Sequence, residues 1–348
     1  MTGELSQRAL MQAAAEGLRK LAADPRCRTA LATPGSALYD LLTPAARRYV
    51  LAPDRDRFLH RIAVLRAKGY LVTAEYAAEY PPEYAPERTA ERTAADPEHG
   101  GEHGGDHGGE PCCGRVVEEY LALLAHEPAP ERLGFDLSRM GLARSPELAA
   151  RNTGRIAAAA AARGSEIVLG MEGLSEVDAV LAVYRELSAR YANVGVTLQA
   201  QLHRTEQDAL AVARPGRTIR LVKGALPGPA QAALPRGPAL DDRFLELAQR
   251  LVDRGARLSL ATQDPAVLAA AGERGLLERA AEIEMPHGVQ PHLLRRYREA
   301  GRVCRIHTVY GTNWWPHLMR RLAEHPPTVL SALADIGAGR ADAEGIGY

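Results

Sequence analysis

The segment Gly195–Asp264 reads GVTLQA at Gly195–Ala200, a helical run at Glu206–Ala213, TIRLV at Thr218–Val222, a helical run at Asp241–Arg254, and RLSLA at Arg257–Ala261 followed by Thr262, Gln263 and Asp264. Short β-rich strings separated by longer amphipathic ones predict parallel strands, because a parallel pair must be joined by a crossover long enough to hold a helix. The same alternation extends both ways. Upstream, strands at Leu71–Ala77, Arg132–Leu137 and Glu166–Met171 alternate with helices at Val116–Ala125, Pro146–Ala162 and Val177–Tyr191. Downstream come a helix at Pro265–Glu278, a strand at Glu282–Met285, a helix at Pro291–Ala300 and a strand at Val303–His307. Eight strands alternating with helices imply a (β/α)8 TIM-like barrel. The competing doubly wound sheet would carry G-x-G-x-x-G after an early strand, and none is present. In a barrel the chemistry collects where strands end, here at Glu75, Asp136, Glu172, Gln199, Lys223, Gln263, Asp264, Glu284, His287 and His307.

Composition excludes some classes of function. The 348 residues carry 43 Lys plus Arg and 43 Asp plus Glu, so no net field favours nucleic acid. Four cysteines, irregularly placed, do not make a disulfide framework and suit a reducing compartment. No apolar run is long enough to span a bilayer and MTGELSQRALMQ is not a secretory signal, so the expectation is a cytoplasmic protein.

The barrel, expected over residues 71–330, has flanks of different character. Residues 1–70 read as a helical arm, with apolar positions recurring at three and four from Leu5 to Ala23. Residues 80–114 repeat EHGG, EHGG, DHGG and contain few large apolar side chains, which predicts a flexible insertion in the barrel. His99, His103 and His107, with Cys112 and Cys113, have the right chemistry for zinc, nickel or copper. Their glycine spacers oppose the helix that would align them, so no specific metal site is assigned. Residues 331–348 form a C-terminal tail.

Tyr310–Glu324 reads YGTNWWPHLMRRLAE. Two adjacent guanidiniums, Arg320 and Arg321, with Glu324 one turn on, suit a ligand carboxylate, since arginine offers a planar donor fork. Taken alone, the run also reads as a solvated basic face with an intrahelical ion pair.

The strings GVTLQAQLHR, TIRLVKGA, LATQD and VYGTNWWPHLMRRLAE, in this order and at these separations, resemble the flavin-dependent proline dehydrogenase family of (β/α)8 barrels. The likeness is best over residues 132–329. It implies a noncovalently bound FAD, a small amino- or imino-acid substrate held by its carboxylate, and hydride transfer from the carbon next to nitrogen to flavin N5. It further implies an electron acceptor such as a quinone, and with that a peripheral place at a membrane. Carried over by position, Gln199, Arg220, Lys223, Gly224, Ala225, Thr262 and Gln263 match cofactor-binding positions, with Gln263 where the family has histidine. Arg320, Arg321 and Glu324 match the substrate clamp.

The departures fall on the substrate side. Asp136 in FDLS stands where the family has lysine, and Gly170 stands where it has aspartate before Met171 and Glu172. An acid at position 136 would lie close to Glu324, and two close carboxylates raise one another's pKa. His287, His307 and His317 replace tyrosines, and Leu226 replaces an aromatic, which makes the pocket more polar and able to titrate near neutral pH. Asp136, His307 and His317 are therefore the candidate catalytic positions. The expected activity is FAD-dependent oxidation of L-proline or a proline-like amino or imino acid; the alternative is a catalytically altered or inactive binding protein on the same frame.

Overall fold

The chain folds, in a computed structural model, as eight parallel strands in sequence order that close into a (β/α)8 barrel. Described are residues 17, 24–33, 35–77, 109–224, 229–315, 317–319 and 347–348. The strands are β1 (Leu71–Tyr76), β2 (Arg132–Phe135), β3 (Glu166–Leu169), β4 (Val194–Gln199), β5 (Thr218–Val222), β6 (Arg257–Ala261), β7 (Glu282–Pro286) and β8 (Cys304–Tyr310). All eight lie within a residue or a few of the strings that predicted them.

The helices also follow local chemistry. Pro146–Ala162 opens on a Ser145 cap whose hydroxyl accepts from Leu148 N, with proline in the first turn. Pro265–Glu273 opens on an Asp264 cap, but the expected single helix to Glu278 is broken by Gly275 in the left-handed region (φ 67°) before a short turn at Leu276–Arg279. The helix expected from Val116 begins at Gly109, inside the stretch read as insertion. Two 3-10 turns, Leu137–Met140 and Leu174–Glu176, were not foreseen. Helices at Pro25–Ala32, Ala37–Ala46 and Arg55–Ala67 make up the described part of the arm.

Two compact units are distinguished, one from the described residues of Met1–Ala77 and Leu198–Tyr348, the other from those of Ala78–Thr197. In the first, β1 pairs with β8, β8 with β7, β7 with β6 and β6 with β5. In the second, β2 pairs with β3 and β3 with the start of β4. Within the first unit, an apolar cluster of Leu31, Ala45, Ala46, Tyr49 and Val50 takes in Trp314, Leu318 and Met319. Tyr39 meets the Trp314 ring at 5.0 Å. The segment that leads to Arg320 is thus seated on the two arm helices, and burial of its large apolar side chains fixes the path of the backbone.

Candidate active site

Strand β5 carries the cationic positions. Arg220 lies within it, and Lys223 and Gly224 just beyond its end. Arg220 Nε donates to Glu284 Oε1 at 2.5 Å, the carboxylate coming from β7 with no exposed surface. Lys223 Nζ lies 2.7 Å from Asp264 Oδ2 and 2.5 Å from Asp241 Oδ1. Burial tends to raise the Asp264 carboxyl, but the lysine's hydrogen bond and charge outweigh it and hold it below the usual range. Gly224 is at φ 112°, and a Cβ there would run into the Gln201 amide, 2.7 Å from its Oε1. Only glycine fits this conformation and this closeness. Gln199 and Thr262 are buried at the ends of β4 and β6, and Thr262 Oγ1 accepts from Asp264 N.

His307, on β8, stands between two acids. Its Nε2 is 2.8 Å from Glu75 Oε2 of β1, and its Nδ1 is 3.4 Å from Glu284 Oε1. Burial alone would favour the neutral ring, and Arg220 adds to that; the hydrogen bonds to Glu284 and Glu75 outweigh both and raise its pKa. Ser259 of β6 donates to the other oxygen, Glu284 Oε2, at 3.2 Å. Below this tier, Arg305 Nε donates to Glu282 Oε2 at 2.9 Å, both side chains fully buried. Polar residues two apart on β7 (Glu282, Glu284) and on β8 (Arg305, His307) share the inner face by the period of two. That alternation, E-I-E beside R-I-H, was the available signal that Glu284 is an interior acid rather than a strand-end one.

In the second unit, Asp136 follows β2 and Gly170 follows β3. A Cβ on Gly170 would overlap Asp136 Oδ1 and lie 3.2 Å from its Cγ and 3.3 Å from the Phe135 carbonyl oxygen. Glu172 accepts from Ser138 N at 2.9 Å. Burial and then the Asp136 charge push its pKa up to about 7, the Ser138 N–H offsetting part of this. Among the described residues, the carboxyl whose pKa Asp136 raises is therefore Glu172. Glu324, the partner expected for Asp136, is outside the described residues, as are Ala225, Arg320, Arg321, Leu226, His99, His103 and His107.

The histidines part company. His317 is half-buried in the turn after Trp315. His287 does not titrate near neutrality: it is 2 % exposed, burial and then Arg61 lower its pKa to about 3, and its ring stacks on Tyr348 at 5.6 Å. Tyr348 also accepts from Gly288 N through its hydroxyl at 2.9 Å and meets Tyr70 edge-on. Nothing in the tail's composition pointed to this packing.

The residues around β5 suit an anionic cofactor such as a flavin dinucleotide in their charge: Arg220 within the strand and Lys223 just beyond its end offer two cations to a pyrophosphate. Among the described residues no helix is long and apolar enough to cross a membrane.

No family model matches the chain. It is 27% identical over 217 residues to proline dehydrogenase 1 of Bacillus subtilis, covering 61% of this chain and 72% of that one. Proline dehydrogenase of Deinococcus radiodurans is 30% identical over 186 residues, covering 52% and 60%. Among solved structures, proline utilization A from Bdellovibrio bacteriovorus inactivated by N-propargylglycine superposes with a TM-score of 0.64 at 16% identity. That match covers 80% of this chain and 32% of the other, so this chain spans about a third of that protein's length. A proline utilization A of Bradyrhizobium japonicum gives 0.53 at 18% identity, covering 68% and 31%.

Proposed function

We propose that this divergent member of the proline dehydrogenase family is an FAD-dependent oxidoreductase of the CH–NH group, acting on L-proline or a proline-like amino or imino acid. The observation that carries the reading is the pair of cations on β5 and just beyond it, Arg220 and Lys223, whose charge suits an anionic cofactor. The relatives named proline dehydrogenase support it.

FAD, when bound, would supply the acceptor for the hydride on the substrate carbon next to nitrogen. The chain's own part is positioning and charge. Lys223 exchanges some of its contact with Asp241 and Asp264 for the cofactor's phosphates. Arg220, aimed by Glu284, would bring positive charge to the side of β5 where a flavin ring would be held. Gln199 and Thr262 hydrogen-bond the cofactor from β4 and β6, beside Gln263. Arg320 and Arg321 grip the substrate carboxylate, with Glu324 orienting one guanidinium. His317 would border the substrate. A reduced flavin would need an electron acceptor, such as a quinone.

The test is the absorption spectrum of the purified chain, followed by anaerobic addition of proline and a panel of amino and imino acids. A yellow protein bleached by one of them supports the reading. A colourless protein that FAD cannot reconstitute would sink it and leave a binding role on the same frame.

A further inference from the structure

One oxygen of Glu284 serves two cations. Arg220 Nε is 2.5 Å from Glu284 Oε1, and His307 Nδ1 is 3.4 Å from the same atom, while Oε2 takes the Ser259 hydroxyl. The carboxylate has no exposed surface, so water does not dilute the competition. On its other side His307 meets Glu75 at 2.8 Å. The charged groups facing the ring are then Glu75 from β1, Arg220 from β5 and Glu284 from β7, with the uncharged Ser259 from β6 beside them. With the imidazole protonated, two positive and two negative charges balance.

We propose that Glu284 is a positioning residue that couples the charge on His307 to cofactor binding, the flavin being held more tightly when His307 is protonated. Two effects act in the same direction. An imidazolium partly neutralises Glu284 and loosens its hold on Arg220, and it adds one positive charge to the tier nearest the anionic ligand. When the ring loses its proton, the imidazolium no longer competes with Arg220 for Glu284 and the tier is one charge poorer. The contact at 3.4 Å is long for a hydrogen bond, so the coupling is of charge more than of bond geometry. This inference rests on the flavin reading of the β5 end.

The experiment is titration of the flavin-free protein with FAD, followed by flavin fluorescence from roughly pH 6.5 to 9. In the unmodified chain the Kd is expected to rise with pH by on the order of tenfold, the effect of one unit charge about 10 Å away at an effective dielectric of about 20. His307→Gln, which cannot be charged, is expected to give a flat profile. Glu284→Gln is expected to give a smaller rise with its midpoint moved to lower pH, because the charge on His307 no longer reaches Arg220 through the carboxylate and His307 has lost one acceptor. Nuclear magnetic resonance of the imidazole, assigned by its absence in His307→Gln, gives the same midpoint directly, and thermal melts report whether each variant is folded. If His307→Gln does not fold, Glu284→Gln and the imidazole titration decide. A flat profile in the unmodified chain, an unchanged rise in folded His307→Gln, or an imidazole midpoint that ignores Glu284→Gln would overturn the coupling while leaving flavin binding intact. No FAD binding at any pH would remove the flavin reading and this inference with it.

Discussion

Asp136 and Gly170 interlock: the carboxylate of one fills the space that a side chain on the other would need. A Cβ at 170 would overlap Asp136 Oδ1, and the Phe135 carbonyl oxygen at 3.3 Å closes the other side. The two positions depart from the family pattern together, and the packing gives a steric reason for that. Gly170→Ala is expected to cost about 1–3 kcal/mol by crowding the carboxylate. In an Asp136→Ala background most of that cost should vanish. Urea unfolding of the two single variants and the double variant measures the coupling, and additive costs would contradict it.

Glu172 makes stability depend on pH near neutrality. Its folded pKa, about 7, lies above the ordinary 4.5, so the folded state binds the proton more tightly than the unfolded one. The sign follows from proton linkage: the benefit is complete below about pH 4.5 and is lost as the pH rises through about 7. The size is at most about 3.5 kcal/mol, from about 2.5 pH units at about 1.4 kcal/mol each. Glu172→Gln should flatten the fall in unfolding free energy between about pH 5 and 8.

His287 acts at the acid end. Its pKa is lowered from 6.5 to about 3, so the fold favours the neutral ring and stability is lost as the pH falls below 6.5. His287→Phe keeps the stacking against Tyr348 and removes the proton uptake. The variant should hold its stability better between about pH 4 and 6, read by urea unfolding at fixed pH values; an acid limb as steep as the parent's would count against this account.

Arg320→Ala and Arg321→Ala should each raise the KM for the carboxylate substrate, by about tenfold or more for loss of a charge-assisted pair. Flavin content should stay at the parent level. Lys223→Ala should do the reverse, lowering flavin content at purification. Steady-state kinetics and the flavin-to-protein absorbance ratio separate the two. A clamp variant with unchanged KM would take the arginines out of substrate binding.

Several features depend only on neighbours along the chain. The helix Pro146–Ala162 lies where its period, Ser145 cap and first-turn proline predict it, and the β5 string placed Arg220, Lys223 and Gly224 at one strand end. Contacts far apart in sequence were less legible. The split at Gly275 was missed because a continuous apolar pattern hid a single left-handed residue.

The sequence by itself determined the eight-fold alternation, the order of the strands and the residues at their ends, because hydrophobic period, caps and turns act over a few neighbours. Only the tertiary structure decided who faces whom: Glu284 shared between Arg220 and His307, Asp136 against Gly170, His287 under Tyr348, Trp314 on Tyr39. Those pairs join residues 23 to 275 positions apart, and their energies come from burial and Coulomb interactions that exist only once the chain has closed on itself.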